Sequence, residues 1–355
     1  MIDGSLHDEV VDPREPRRPT SRRRRLISVG LGLAVVVATF AYVLPRIADY
    51  GEVWGVVKEL SAQQIGALII ATLLNLVTFA PPWMVALPHL GFRRAFVLTQ
   101  ASTASTYVAP GGAAVGVALA VAILRGWGFD GRSVALAAAV TGIWNQLVLL
   151  GFPAVALALL TIQQERNALL QTVALIGFAV FVVAVSAFVV GLSTPKLARF
   201  VGDSAARLVN WVLHLFRSGA VGWTGESFVR FRNDAVGLLG RRWHLLTLAT
   251  LAGQLTVFVL FLVSLRVLDV SASEVTAVEA FAAWSLVRLL GSLPITPGGI
   301  GVVEVGLTTA LVGFGGDNAE VVAAVLVYRF LTIVPTLLLG LIAGATWRRL
   351  PAQRT

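Results

Sequence analysis

Arg288, Glu304 and Arg329 are each the lone charged residue of a long apolar stretch. A charge near the centre of a bilayer costs roughly 2.5 to 3.5 kcal/mol to insert, so each of these needs a partner or a task. Their signs point to one ion pair, Glu304 with Arg329 or with Arg288, which leaves one guanidinium over. A free guanidinium offers parallel N–H donors matched to the oxygens of a phosphate. A closed pair that only pins the local fold is the competing account. Desolvation also raises the proton affinity of a lone carboxylate, which makes Glu304 a candidate proton carrier.

Just ahead of Glu304 the chain reads Pro297-Gly298-Gly299-Ile300-Gly301, and Pro110-Gly111-Gly112 has the same form. Glycine admits close backbone approach, and amides at a fresh helix start can hold an anion. Asn75, Gln100, Asn145, Gln146 and Gln254 interrupt apolar segments and are candidate linings of one cavity, with plain interhelical hydrogen bonding as the alternative for each. Other chemistries lack their residues. Cysteine is absent, and His7, His89, His214 and His244 are too scattered for ligand spacing. No G-x-x-x-x-G-K-[ST] loop offers an ATP site, and no D-x-D or D-D-x-x-D pattern offers a metal-bound diphosphate. Neither a metal nor a cofactor is expected.

The elements that must position these residues are membrane helices. Hydrophobic residues make up 57% of the chain and charged residues 13%, with a mean hydropathy of +0.81, far from a soluble domain. Runs such as Leu169 to Val190 and Leu245 to Leu265 exceed the roughly 20 residues that cross a bilayer. The formal charge of +9 would suggest nucleic acid in a soluble protein. Here the basic residues flank apolar segments, as in Arg22 to Arg25, Arg93-Arg94, Arg241-Arg242 and Arg348-Arg349, which is the pattern of cytoplasmic loops. Nucleic acid is therefore not an expected partner, while anionic lipids at the cytoplasmic surface are. Ser21 to Leu26 resembles a twin-arginine signal, but the long apolar run behind it reads better as an uncleaved first helix.

Residues 1–25 read as a disordered basic cytoplasmic tail, 26–46 as a first helix, 63–86 as a second and 347–355 as a cytoplasmic tail. Segments 95–126 and 276–314 are apolar but broken at their midpoints by Pro110-Gly111-Gly112 and Pro294 to Gly299. Half-helices of about fifteen residues reach only near 22 Å, which favours re-entrant hairpins over pairs of spans. Further spans are predicted at 133–161, 169–192, 244–267 and 319–346. Segment 193–243 carries Arg199, Asp203, Arg207, His214 and Arg217 off an apolar helical stripe and reads as an interfacial basic segment or a soluble linker.

Pro297 and Pro110 stand 187 residues apart, and the same offset matches Ser292 with Ser105, Leu311 with Leu124, Gly315 with Gly128 and Asp317 with Asp130. The expected fold is an all-α polytopic membrane protein with about six spanning helices plus two re-entrant hairpins. Span, broken hairpin, span occurs twice, in a first repeat at 63–161 and a second at 244–346. If each hairpin returns to its side of origin, Arg93, Arg94, Arg125, Arg132, the 193–243 segment and Arg348-Arg349 all fall inside, and Glu52, Glu59, Glu165, Asp269, Glu274, Asp317 and Glu320 fall outside. The hairpins then enter from opposite faces, an inverted repeat of the kind that supports alternating access. The predicted location is the cell membrane, multi-pass, with both termini cytoplasmic.

Leu293-Pro294-Ile295-Thr296-Pro297-Gly298-Gly299-Ile300-Gly301-Val302-Val303-Glu304, with Tyr328-Arg329 further on and Val108 to Gly112 in the first half, resembles the flippase-like family, the transmembrane region of lysylphosphatidylglycerol synthase or multiple peptide resistance factor. The resemblance extends over roughly 26–346. It implies translocation of a phospholipid or lipid-linked glycan between leaflets, and it carries over Glu304, Arg329 and the two Pro-Gly-Gly turns; with the spare guanidinium, the expected substrate is a lipid with an anionic or phosphate-bearing headgroup. Many members bear a charged residue just after the first Pro-Gly turn, whereas Ala113 to Leu124 has none and Val117 stands opposite Glu304. A soluble aminoacyl transferase domain is not expected by Thr355, so synthase activity is not expected either. A non-transporting scaffold for a lipid-synthesising partner enzyme and an intramembrane lipid transferase are the competing roles.

Overall fold

Proline, glycine and polar caps cut the apolar sequence into helices. The computed structural model describes residues 58–109, 112–162, 168–194, 225–292 and 296–350, together with residues 196 and 199. The expected tail 1–25, the helix 26–46, residues 195–224 of the basic segment apart from 196 and 199, Pro110, Gly111, Leu293, Pro294, Ile295 and the last five residues lie outside the described residues.

Helix α1, Ala62–Thr78, starts at a capping box in which Ser61 N–H donates to Gln64 Oε1 at 2.8 Å and Ser61 Oγ accepts from Gln64 N–H. It stops ahead of Pro81-Pro82, which open the short α2, Pro81–Ala86, because proline lacks the donor a continuing helix needs and suits a first turn. Next come α3, Phe92–Val108, and α4, Gly112–Gly126. The 32-residue α5, Gly131–Ile162, is followed by α6, Ala168–Ser193. Helix α7 runs Gly225–Val267, α8 Ala277–Gly291 and α9 Val302–Phe314, with a tight turn at Pro297–Gly299 between the last two. Helix α10, Asn318–Thr346, ends in a turn at Trp347–Arg349.

Four of these elements are long and apolar enough to cross a membrane: α1 with α2, α5, α7 and α10. Helices α4 and α9 are shorter apolar helices. Ile69, Ile70, Leu73 and Leu74 of α1 and Leu175, Ile176 and Val183 of α6 are exposed, the surface that hydrocarbon covers in a bilayer. The protein is a multi-pass α-helical membrane protein.

Both broken segments fold back on themselves. A side chain at Gly116 of α4 would come within 2.7 Å of Thr106 Cγ2 and 3.0 Å of the Ser102 carbonyl, and one at Gly112 would collide with the Thr106 carbonyl. In the second segment Gly306 lies against Val287 and Gly291 against Val303, so α8 and α9 are antiparallel as well. Helix α3 also packs along α10, and α8 along α5. The first helix of each folded-back pair thus rests on a long helix outside that pair. Around that crossing, Phe152, Phe258, Phe281 and Trp284 form one aromatic cluster with centroid separations of 5.1 to 5.9 Å.

Charge divides along the helix axes. At one end Arg132 donates to both oxygens of Asp234 at 2.5 and 2.7 Å, and Trp127 Nε1 donates to the Trp347 carbonyl at 2.9 Å. At the other, Asp269, Glu274 and Asp317 lie within electrostatic reach of Glu320. One expected boundary is not a break: residues 225–243 continue without interruption into 244–267 as a single 43-residue helix, about 65 Å long. Arginine forms helix well, and no proline occurs between 225 and 267. Arg241-Arg242 therefore mark a change in the polarity of the helix surface, not its end.

Candidate substrate cavity

The second hairpin's tip is built by its glycines. Gly298, Gly299 and Gly301 have φ of 61°, 68° and 84°, a region that side chains with a Cβ avoid. A side chain at Gly298 would in addition overlap the ring of Tyr107, near the end of the first hairpin's leading arm. Tyr107, close to the end of α3, therefore meets the tip of the second hairpin, ring against bare backbone.

Glu304 sits in the first turn of α9. Its Oε2 accepts the Gly301 N–H at 2.6 Å, and its Oε1 accepts from Arg329 Nε at 2.5 Å. Arg329 Nη2 donates to the Gly298 carbonyl at 3.1 Å. Arg329 is 2% exposed and the Glu304 side chain 13%. The carboxylate thus closes the fresh helix start that could have taken an external anion, and the guanidinium ties the hairpin tip to α10. Of the two pairings open to Glu304, Arg329 is the one formed.

Arg288 is left over. It is part-buried on α8, and its Nε is buried with no acceptor among the described residues. Arg288 borders two cavities. The larger, about 390 Å³, is lined also by Thr103, Thr106, Val117, Asn145, Gln146 and Gln254. The smaller, about 70 Å³, is lined by Asn75, Gln100, Tyr107 and Thr332 among others. Phe79, Thr103 and Arg288 are common to both. The larger volume is within the roughly 300–1,000 Å³ of small-molecule sites.

All five amide residues singled out in the sequence border one or the other space. Gln254 donates through Nε2 to Asn145 Oδ1 at 2.6 Å, but its own Oε1 is buried without a partner among the described residues. Asn75 Nδ2 is orphaned in the same way, while Gln100 Nε2 is satisfied by the Leu76 carbonyl at 3.0 Å. Buried amide groups left unpaired cost free energy unless a ligand or water meets them. Gly112 packs inside the first hairpin, and Pro110 and Gly111 beside it lie outside the described residues. Pro297 opens the second tip's turn.

Sequence reasoning passed over Tyr107, Thr141, Thr250 and Thr332. The threonine hydroxyls donate to carbonyls one turn back on their own helices at 2.7 to 3.0 Å, the usual habit of threonine in an apolar helix, so no local pattern sets them apart. Tyr107 does carry a signal, an aromatic with a polar tip two residues before the break.

The family model for the lysylphosphatidylglycerol synthase transmembrane region matches residues 27–340. The chain belongs to this family. No curated protein matches it. The match to the lysylphosphatidylglycerol synthase transmembrane region covers both hairpins, the ion pair and every cavity-lining residue named above. Membership and the helical fold together support a general role in lipid translocation and contact with membrane lipids. They fit a transporter in place of a catalyst, and among the described residues no group of three or more acidic or histidine side chains could hold a metal.

Proposed function

We propose that this protein moves a phosphate-bearing lipid between membrane leaflets, with Arg288 holding the phosphate in the larger cavity. The observation that carries this reading is the division of labour between two arginines. Arg329 is consumed by Glu304 and the Gly298 carbonyl, while Arg288 borders an open cavity and its buried Nε has no acceptor among the described residues. An uncompensated guanidinium inside an apolar helical bundle is costly unless an anion visits it.

The two halves act as an inverted repeat of re-entrant hairpins. Three observations support that reading. In the frame set by the offset of 187, α5 and α10 begin at matching residues, Gly131 and Asn318. The leading arm of each hairpin rests on the other half's last helix. The first hairpin ends beside Arg125 and Trp127 at the basic end, whereas the second begins near Glu274 at the acidic end. By the positive-inside rule the basic end is cytoplasmic, and it holds Trp347, so the C-terminus faces the cytoplasm. Rocking of one half against the other around Arg288 would expose the cavity to each side in turn. Glu304 serves to pin the second hairpin, since both its oxygens are engaged.

Reconstitution into liposomes with an acyl-labelled anionic phospholipid, followed by quenching of the outer leaflet, tests the reading. Arg288→Gln is expected to lower the leaflet-exchange rate at least tenfold, and Arg288→Lys to retain part of it as a point charge. Exchange at the wild-type rate in Arg288→Gln removes this residue, and the reading with it.

A further inference from the structure

The second half keeps an ion pair where the first half keeps a space. Subtracting 187 from Glu304 and Arg329 gives Val117 and Gly142, and both of these line the larger cavity. The second half thus fills these two positions with its own anion and cation, whereas the first half supplies neither. Arg288 reaches the same cavity from α8.

The character of this lining bears on the headgroup. Besides Arg288, its polar members are hydroxyls and carboxamides, among them Thr103, Thr106, Asn145, Gln146 and Gln254. No carboxylate is among the lining residues of either cavity. At the two hairpin breaks, the residues outside the described set, 110–111 and 293–295, are Pro, Gly, Leu, Pro and Ile, so they add none there. Glu304 is engaged by Arg329 and by its own helix start.

A lysyl headgroup brings ammonium charge. In this cavity it would meet a guanidinium in low dielectric with no carboxylate to pair with, an arrangement that rejects it. A hydroxyl-rich headgroup meets the opposite situation. The carboxamides and threonine hydroxyls of the lining can both donate to and accept from such a group.

We infer that the larger cavity selects a lipid whose phosphate carries an uncharged, hydroxyl-rich group, such as a glycerol or a sugar, and discriminates against the cationic aminoacyl headgroup that the family's name evokes. This rests on the cavity being the lipid site proposed above, but it concerns selection and not movement.

Competition binding to the purified full chain in detergent separates the two. The probe is phosphatidylglycerol labelled on one acyl chain, and the competitors are unlabelled phosphatidylglycerol, lysylphosphatidylglycerol and phosphatidate. Phosphatidylglycerol is expected to compete at concentrations at least tenfold below lysylphosphatidylglycerol and severalfold below phosphatidate. Arg288→Gln should weaken phosphatidylglycerol at least tenfold. Val117→Glu should narrow or reverse the preference by giving the ammonium a carboxylate, a gain of binding that a merely misfolded variant does not produce. Equal or tighter binding of lysylphosphatidylglycerol to the wild type overturns the inference. So does equal binding of phosphatidate and phosphatidylglycerol, or an unchanged preference in a folded Val117→Glu protein. Selective binding without leaflet exchange in liposomes would leave this inference standing and remove the translocation reading.

Discussion

The two hairpins share a backbone plan and differ in what holds them. In the second, Gly298 to Gly301 fold the tip, Glu304 closes the start of α9, and Arg329 binds both the carboxylate and the Gly298 carbonyl. In the first, the arms are held by close approach of backbone, with Gly112 and Gly116 against Thr106 and Ser102. Among the described residues no ion pair links its arms or fastens it to α5. The positions 187 residues before Glu304 and Arg329 carry Val117 and Gly142 and border open volume. One half has used charge to lock a turn. The other has kept its apolar interior and leaves the polar work to amides, hydroxyls and a single borrowed arginine.

The largest expected effect comes from breaking the lock unevenly. Arg329→Ala strands a buried carboxylate, and removing one partner of a buried pair costs about 3–5 kcal/mol. Thermal unfolding in detergent should show a large loss. The double variant Glu304→Gln with Arg329→Met should recover much of it, since neutral packing replaces a buried pair at little cost. A double variant as unstable as Arg329→Ala would mean that the pair does more than compensate charge.

Next in size is the tip itself. Gly298→Ala imposes a left-handed conformation on a residue with a Cβ, about 1–3 kcal/mol, and adds an overlap with Tyr107. Combining it with Tyr107→Ala should relieve the overlap and leave the backbone cost. If the double variant is no better than Gly298→Ala alone, the Tyr107 ring does not press on the second tip.

Matching caps give a smaller comparison. Asp317, ahead of α10, accepts from the Ala319 and Glu320 N–H groups at 2.8 and 3.2 Å. Asp130, ahead of α5, accepts from the Ser133 N–H at 2.9 Å. Loss of a cap of this kind costs about 1 kcal/mol, so Asp317→Ala should fall near that value by thermal unfolding.

Asp130 should give the smallest effect, and one that depends on pH. Hydrogen bonds from the Ser133 side chain and then its backbone hold the Asp130 carboxyl below the ordinary aspartate value. A carboxyl lowered on folding adds stability above its unfolded pKa and loses it as pH falls through its folded pKa. The stability gap between wild type and Asp130→Asn should therefore be present at neutral pH and shrink in acid. A gap that is constant with pH would assign the effect to packing.

Much of the helix punctuation is legible in the amino-acid sequence alone. Pro110-Gly111-Gly112 and Pro297-Gly298-Gly299 announce helix breaks, because proline's missing donor and glycine's tolerance of unusual backbone angles are properties of the residues themselves. The starts of α1 and α8 are written in the Ser61-to-Gln64 and Thr276-to-Glu279 spacings. The continuity of α7 through Arg241-Arg242 is not legible, because charge reports where a helix meets water and says nothing about whether it ends. Val117 and Gly142 are invisible as a pair of cavity positions, since neither has polar chemistry to draw attention.

Hydrophobic length, glycine and proline settle membrane residence, the helices and their breaks from within short windows of the chain, as those choices are decided by local backbone and solvation energy. Which arginine meets Glu304 is a different kind of question. Arg288 and Arg329 carry the same group in equally apolar surroundings, and only the packing of α8, α9 and α10 against one another engages one and leaves the other facing a cavity.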